Sequence, residues 1–315
     1  MTRVLVTGAG SLAGYGVIRS LRHWRPEFTI IGGDTDPNAV GFQWSDERAG
    51  LAPGAAPDYL DSVARAIERH RVDVVVPTHP AEIGPLARWD DPPVPIAVDR
   101  AELVELSLDK WLWYQQLSAV GEPSLIPTQL LADADEGGFE THVRVVAKPR
   151  RCSGSRGLAV FEAAELQRRR QSPGAEVLIV QPYVGSDAEE YSAAVFGDGG
   201  GGFPARIVLH RELDPGGWTK RARLAQPTSL DPVLDRLAAT LRPRGAINLQ
   251  FRREGESWWL LDINPRISSS TSIRSMLGYP EAAMAVDLAL HGQLPTQPAL
   301  RSASVTRFLD EVETS

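Results

Sequence analysis

Three observations mark this chain as an α/β protein with a parallel, doubly wound amino-terminal sheet and an α+β second half. The first hundred residues alternate strand and helix, and the strands are apolar almost throughout, as strands buried on both faces are. Beyond Ser107 the pattern changes to runs of strand-like segments broken by few helices, which suits antiparallel sheets. The 315 residues exceed the roughly 150 of an average domain. A composition 43% apolar and 23% charged is that of a globular chain able to bury a core without cross-links.

The elements follow in order. Arg3–Thr7 is a short apolar strand that ends in Gly8-Ala-Gly10-Ser-Leu-Ala-Gly14, and a helix follows through Leu21. Phe28–Gly33 is a second strand running into Asp34 and Asp36. Asp58–His70 is amphipathic at helical spacing, and Val72–Val76 is a strand apolar but for Asp73, followed by Pro77-Thr-His79. The Pro-rich stretch Asp91–Pro95 precedes one more expected short strand. Asp109–Val120 reads as a helix closed by Gly121 and Pro123, with strands expected at Val143–Pro149, Val177–Tyr183, Glu190–Val195 and Ala205–His210. A helix over Asp231–Leu241 separates these from two long strands, Gly245–Arg253 and Trp258–Ile263. The run Gly197-Asp-Gly-Gly-Gly-Gly202 is read as a flexible hairpin loop. There is no internal repeat.

Composition narrows the function. Forty acidic against 33 basic side chains leave a net charge of −7, which argues against a general nucleic-acid binder, since such a protein needs excess positive charge to displace counterions. The single cysteine, Cys152, excludes an intramolecular disulfide and favours a reducing compartment. No run approaches the roughly 18 apolar residues of a membrane span, and the first residues enter a strand without a signal-peptide pattern. A cytoplasmic protein without a membrane partner is therefore expected. Of the 33 basic residues only Lys110, Lys148 and Lys220 are lysine. A GC-rich coding bias accounts for the scarcity, yet lysines that survive it are candidates for sites where a compact ammonium cannot be exchanged for arginine's planar fork.

The glycine loop at Gly8-x-Gly10-x-x-x-Gly14, with Asp34 ending the next strand, invites a dinucleotide-binding reading. Its third glycine is one residue late for that motif. A short-chain dehydrogenase would need glycine where Leu12 stands and Tyr-x-x-x-Lys elsewhere, but Leu106, Arg144 and Gly216 occupy the positions four before the lysines. A tight strand-to-helix turn is the simpler alternative.

The second half carries more specific chemistry. Val145-Val-Ala-Lys148, followed by Ser153-Gly154-Ser155-Arg156-Gly157, is a strand delivering an ammonium into a small-residue loop whose backbone N–H groups suit a polyphosphate. In Asp262-Ile-Asn264-Pro265-Arg266, the side chains of Asp262 and Asn264 share one face of a strand. Gln250 can stand beside them on the antiparallel neighbour, and such oxygen donors suit Mg²⁺ carried in with phosphates. Arg266 would face charge developing on a transferred phosphoryl group.

These segments resemble the ATP-grasp enzymes, in the carbamoyl-phosphate-synthase-like and pyrrolysine-ligase-like branch, over essentially the whole chain. Asp262-Ile-Asn-Pro-Arg266 is similar to the family's metal-binding Glu-x-Asn-Pro-Arg strand, with Gln250 at the preceding metal position. Arg144–Gly157 resembles the lysine strand and phosphate loop, which implies nucleotide contacts for Lys148, Gly154, Ser155, Arg156 and Gly157. Leu108-Asp109-Lys110 resembles the start of the helix carrying the first phosphate lysine. Val180-Gln-Pro-Tyr-Val184 resembles the interlobe hinge, implying adenine contacts near Gln181, Tyr183 and Val184. Glu190, or its neighbour Glu189, would meet the ribose. The chain departs from the pattern at Asp262, one methylene shorter than the usual glutamate, and at Pro182, where glutamate is common. Lys220, in the Arg211–Arg223 connection, is at the place that lies over the γ-phosphate in related enzymes and is a candidate for phosphate or substrate carboxylate. Ser268–Thr271 corresponds to a turn near the acceptor. His79, His210 and Cys152 are more simply structural.

The resemblance implies a Rossmann-like pre-ATP-grasp domain over residues 1–105, whose glycine loop binds no NAD. An ATP-grasp small lobe with the phosphate loop would follow over 106–182, and a carboxy-terminal lobe with the metal and substrate site over 183–315. It implies ATP and two Mg²⁺ ions, a homodimer, small-molecule carboxylate and amine substrates, and an ADP-forming ligase that makes an amide through an acyl phosphate, with an amino acid substrate in a biosynthetic pathway. The alternatives are phosphoryl transfer to bicarbonate or carbamate, a nucleotide sensor without turnover, and a nicotinamide oxidoreductase.

Overall fold

A computed structural model describes the chain apart from residues 136–138, 140–142, 153–156, 309, 312 and 314–315. Strand β1 (Arg3–Thr7) leads through the glycine loop into helix α1 (Leu12–Trp24). Strands β2 (Thr29–Asp34) and β3 (Glu47–Gly50), helix α2 (Tyr59–His70) and strand β4 (Val74–Val76) complete a parallel sheet of order β3-β2-β1-β4. The period-two alternation of β1 sends Val4 and Val6 to one core and Leu5 to another, where it meets Val63 and Ile67 of α2. Helices α3 (Pro80–Ala87), α4 (Ala101–Leu108) and α5 (Lys110–Ala119) follow.

A four-stranded antiparallel sheet, order β5-β8-β6-β7, comes next. It is built from β5 (Gln129–Leu130), β6 (Arg144–Pro149), β7 (Ala159–Glu162) and, after the short helix α6 (Leu166–Arg169), β8 (Leu178–Pro182). Its small core holds Val145, Phe161, Leu166 and Val180.

The largest sheet takes β9 (Glu190–Asp198), β10 (Ala205–Leu213) and β11 (Thr219–Ala225). Helix α7 (Asp231–Leu241) leads to β12 (Arg244–Glu254) and β13 (Ser257–Asn264), and α8 (Thr271–Met276) and α9 (Glu281–His291) precede β14 (Ser304–Thr306). The order is β13-β12-β9-β10-β11-β14, antiparallel throughout. Alternation again divides the side chains. Ala193, Val195 and Leu249 pack with α7 and with Trp113 of α5. Phe196 and Leu209 join α8, α9, α1 and one face of the amino-terminal sheet in a single continuous core. The amino-terminal sheet and the largest sheet thus share one core, whereas the small sheet has its own.

The architecture agrees with the α/β then α+β expectation, and the differences have local causes. The strand expected after the Pro-rich stretch is reduced to one bridge between Val75 and Ile96, since prolines remove the donors a ladder needs. Strand β3 and helices α3 and α4 have no clear signal in the sequence. Glu-Arg-Ala-Gly is a poor strand sequence, and α3 begins at a proline, its start set by a His79 cap and its reciprocal Glu82 as in a capping box. The Gly197–Gly202 loop is a hairpin connection, but it is organised by Asp198, whose Oδ1 accepts N–H bonds from Gly200, Gly201 and Gly202 at 2.7–3.0 Å. No helix among the described residues is long and apolar enough to cross a membrane.

Candidate active site

The three sheets face one cleft of about 1310 Å³. Its walls come from the small sheet, from one face of β9, β10, β12 and β13, and from Ser11–Ala13 and Thr78–Pro80. The last two segments follow β1 and β4, so they sit at the carboxyl ends of parallel strands, where open α/β sheets place their ligands.

Lys110 enters through a cap. Asp109 Oδ1 accepts the N–H groups of Trp111 (3.0 Å) and Leu112 (3.4 Å), which starts α5. Its carboxylate also takes Arg150 Nη2 at 2.8 Å. Held there as the first helical residue, Lys110 is buried, with Nζ 2.9 Å from the Cys152 carbonyl and 3.3 Å from Asp262 Oδ1. Lys148 arrives on β6, also buried, and donates to the Leu261 carbonyl at 3.1 Å. Burial pushes its ammonium down to about 8, neighbouring Lys110 adds to the fall, and Asp262 opposes it. An ammonium so poorly compensated is poised for an anion.

Gln250 and Asp262 are direct cross-strand partners, and Asn264 stands two residues on, opposite Asn248. Asn264 Nδ2 lies 3.3 Å from Asp262 Oδ2, and Gln250, Asp262 and Asn264 all line the cleft. Among the described residues no cluster of three His, Cys, Asp or Glu side chains could hold a metal unaided. One carboxylate flanked by two amides fits Mg²⁺ that brings phosphate oxygens as further ligands. Arg266 follows β13, lines the same wall, and makes no ion pair among the described residues; its Nη1 donates to the Ile267 carbonyl at 3.1 Å. Burial lowers its pKa to about 10, with Asp262 pulling the other way.

At the opposite end, Gln181, Tyr183 and Val184 border the cleft. The Gln181 amide is committed to Thr128 Oγ1 at 2.7 Å, while Tyr183 lies beneath the guanidiniums of Arg144 and Arg252, 4.4 and 5.0 Å from its ring centroid. Glu190 is buried and lines the cleft, held by Arg211 on one neighbouring strand (2.7 Å) and Arg252 on the other (3.1 Å). Glu189 instead accepts from Tyr191 Oη at 3.1 Å.

Not every expected residue gathers here. Gly154, Ser155 and Arg156 lie outside the described residues, and Gly157 turns with φ +74° beside Pro149. Lys220 is on strand β11 rather than in a connection, half exposed, and 3.4 Å from Glu212. The cleft is bordered at this point by Asp214–Thr219. His79 accepts from Ala81 N–H as the cap of α3 (3.3 Å), and His210 contacts the Ala188 carbonyl at 2.7 Å. Cys152 lies on the cleft wall, its Sγ 3.5 Å from the Pro149 carbonyl. Ser268–Ser270 border the cleft, as expected for a turn beside Arg266. Arg211 and Arg252 carry no motif in the sequence. Strand period two puts Arg252 on the face of Gln250, a usable signal, whereas Arg211 is revealed only by its register opposite Glu190.

No protein-family model matches the sequence, and no curated protein matches it. Solved structures do match in shape. Biotin carboxylase from Campylobacter jejuni superposes with a TM-score of 0.73 at 15% identity, covering 95% of this chain and 73% of that one. N5-carboxyaminoimidazole ribonucleotide synthetase from Thermus thermophilus gives 0.71 at 19%, covering 96% and 81%. Phosphoribosylglycinamide synthetase from Anaerococcus prevotii gives 0.69 at 14%, covering 96% and 79%. With its parallel amino-terminal sheet, its separate small sheet and the large antiparallel sheet across the cleft, the chain has the ATP-grasp fold.

Proposed function

We propose that this protein is an ATP-dependent carboxylate–amine ligase that works through an acyl phosphate, with an amino acid as one substrate. One observation carries the reading. Two buried ammonium groups, a carboxylate between two amide side chains, and an arginine that makes no ion pair among the described residues converge on one cleft wall. Such a wall is built for the charge of a nucleoside triphosphate.

In this reading Lys110 and Lys148 hold phosphate oxygens, together with the backbone of residues 153–157. Gln181–Val184 frame the base, and Glu190, set in place by Arg211 and Arg252, meets the ribose. Gln250, Asp262 and Asn264 would hold Mg²⁺, which neutralises phosphate charge when bound. Arg266 orients the attacking carboxylate and steadies the charge on the transferred group. A carboxylate oxygen attacks the γ-phosphorus, the β–γ bridging P–O bond breaks, and ADP leaves. The amine nitrogen then attacks the acyl carbon, its C–O bond to phosphate breaks, and the amine's proton passes to solvent. Positioning and charge neutralisation suffice for the first step, which needs no covalent nucleophile from the protein.

Phosphate release from ATP, screened over paired amino acids with mass spectrometry of the product, tests the proposal. Release that requires both a carboxylate and an amine, with an amide product, is the expected result. Release with bicarbonate as the only carboxylate would shift the reading to phosphoryl transfer to bicarbonate. ATP binding without release under any pairing would make the protein a sensor.

A further inference from the structure

The tip of the β10–β11 hairpin, Asp214–Trp218, forms part of the cleft wall. Asp214 and Trp218 close the turn, the Asp214 N–H donating to the Trp218 carbonyl and the Gly217 N–H to the Asp214 carbonyl, each at 2.9 Å. The tip is anchored at its base. The hydroxyls of Thr219 and Ser270 lie 3.1 Å apart, and Arg307 donates to the carbonyls of Thr219 and Ser269. Ser269 and Ser270 belong to the turn that follows Arg266, and both border the cleft. Trp218, next to Thr219 in the chain, is thereby held close to that turn.

Two groups at this tip are free where their counterparts elsewhere in the cleft are taken. Five carboxylates line the cleft, and four of them have a cationic partner. Arg252 meets both Asp187 (2.8 Å) and Glu190 (3.1 Å), Lys220 meets Glu212 (3.4 Å), and Lys110 meets Asp262 (3.3 Å). The fifth is Asp214. Its Oδ1 accepts the Gly216 N–H at 2.7 Å, and the carboxylate makes no ion pair among the described residues. The aromatic rings divide in the same way. Tyr183 lies beneath two guanidiniums, whereas no cation stands over the Trp218 ring among the described residues. Asp214 and Trp218 are both partly exposed, and they are neighbours. A Cβ built on Gly216 would stand 3.0 Å from Asp214 Oδ1 and 3.1 Å from Trp218 Nε1. A carboxylate beside an indole on a cleft wall takes an organic cation, through charge-assisted hydrogen bonds and the negative potential of the ring face.

We infer that the hairpin tip binds a cationic group of the amine substrate, an ammonium or guanidinium other than the nitrogen that forms the amide. That the ligand is the amine substrate rests on the ligase reading; the binding of a cation does not. An attacking nitrogen has to be unprotonated, whereas a carboxylate beside an ammonium holds the proton on. The group paired with Asp214 is therefore a binding handle and not the nucleophile. The acceptor is then a diamine, or an amine that also bears a guanidinium. Asp214 and Trp218 select it over a monoamine by binding the second charge, without touching the reacting atoms.

Calorimetric titration of the full chain in the presence of MgADP tests the inference, with agmatine, putrescine and the uncharged 1,4-butanediol as probes. Agmatine and putrescine should bind saturably and butanediol should not. Asp214→Asn should weaken agmatine binding about tenfold, as loss of a hydrogen bond to a charged group does. Trp218→Leu should weaken it about threefold, and Trp218→Phe less, because a ring face remains. The variants should keep the wild-type melting profile and bind MgATP within about twofold of wild type, since the hairpin tip is separate from the nucleotide residues. In the amide-forming assay putrescine should show a lower KM than n-butylamine at similar kcat, and equal KM values would overturn the handle. Absence of saturable agmatine binding in the wild type, or unchanged affinity in both Asp214→Asn and Trp218→Leu, overturns the site; MgATP binding that persists in that case keeps the ligase reading. Agmatine binding that depends on Asp214 in a chain unable to bind MgATP would keep the site and remove the ligase reading instead.

Discussion

The ends of β1 and β13 both carry a motif that suggests ligand binding, and they have opposite fates. After β1, the glycine loop is closed on itself. Gly10 N–H donates to Asp34 Oδ2 at 2.7 Å, Ser11 caps α1 by accepting from Gly14 N–H at 2.9 Å, and Gly14 lies so close to the loop that an added Cβ would stand 1.9 Å from the Gly8 carbonyl oxygen. Asp34, the acidic residue of the dinucleotide-like pattern, is taken up by the loop's own backbone. After β13, Asp262, Asn264 and Arg266 border the cleft, and Arg266 makes no ion pair among the described residues. A loop whose polar groups are spent on holding its own turn is architecture; a strand end whose charged and amide groups open on a cleft is a candidate site.

The sharpest way to break this contrast lies beside β13. Lys148→Ala should lower turnover roughly 10²- to 10³-fold, about 2.7–4 kcal/mol, as loss of a preorganised electrostatic group does elsewhere. Near-wild-type kcat would remove Lys148 from phosphate contact. Asp262→Asn should raise the Mg²⁺ concentration needed for half-maximal rate by about tenfold, because it takes away the one carboxylate of the donor set. An unchanged Mg²⁺ requirement would move the metal elsewhere.

At the β1 end the expected loss is of stability and not of chemistry. Gly14→Ala forces backbone against backbone and should cost about 3 kcal/mol. Thermal melting reads this directly, and a variant as stable as wild type would show that the loop can open. The pH profile sharpens the same contrast. Lys148 has its pKa lowered to about 8, so its ammonium is present below that pH and lost above it. In the free enzyme kcat/KM should therefore fall as pH rises through about 8. Lys148→Arg should lower activity, because the planar fork does not replace the ammonium, and the activity that remains should lack that limb, since a guanidinium keeps its charge. The smallest effect is expected at Lys220, exposed and paired with Glu212. Lys220→Arg should keep activity within about twofold, and a tenfold loss would bring β11 into the site.

Much of this contrast is legible in the order of residues. The alternation of Val4, Leu5 and Val6 and the alternation along β12 and β13 each define two faces, because a strand's side chains alternate whatever it packs against. The Asp109 cap ahead of Lys110, and the spacing of Asp262, Asn264 and Arg266, are likewise local. Arg211 and Arg252 are of another kind. Glu190 acquires two arginine partners only when β10 and β12 pair in register on either side of β9.

The residues alone therefore settle which strands have two faces, where α5 begins, and which side chains could carry phosphate or metal, since these depend on neighbours a few positions away. Whether a polar group is already satisfied depends on partners tens or hundreds of positions distant. Asp34 turning to Gly10, Lys220 taken up by Glu212, and Arg266 making no ion pair among the described residues are outcomes of packing. Folding brings those distant groups together and fixes how much water each retains, and with that it divides the closed loop at β1 from the open site at β13.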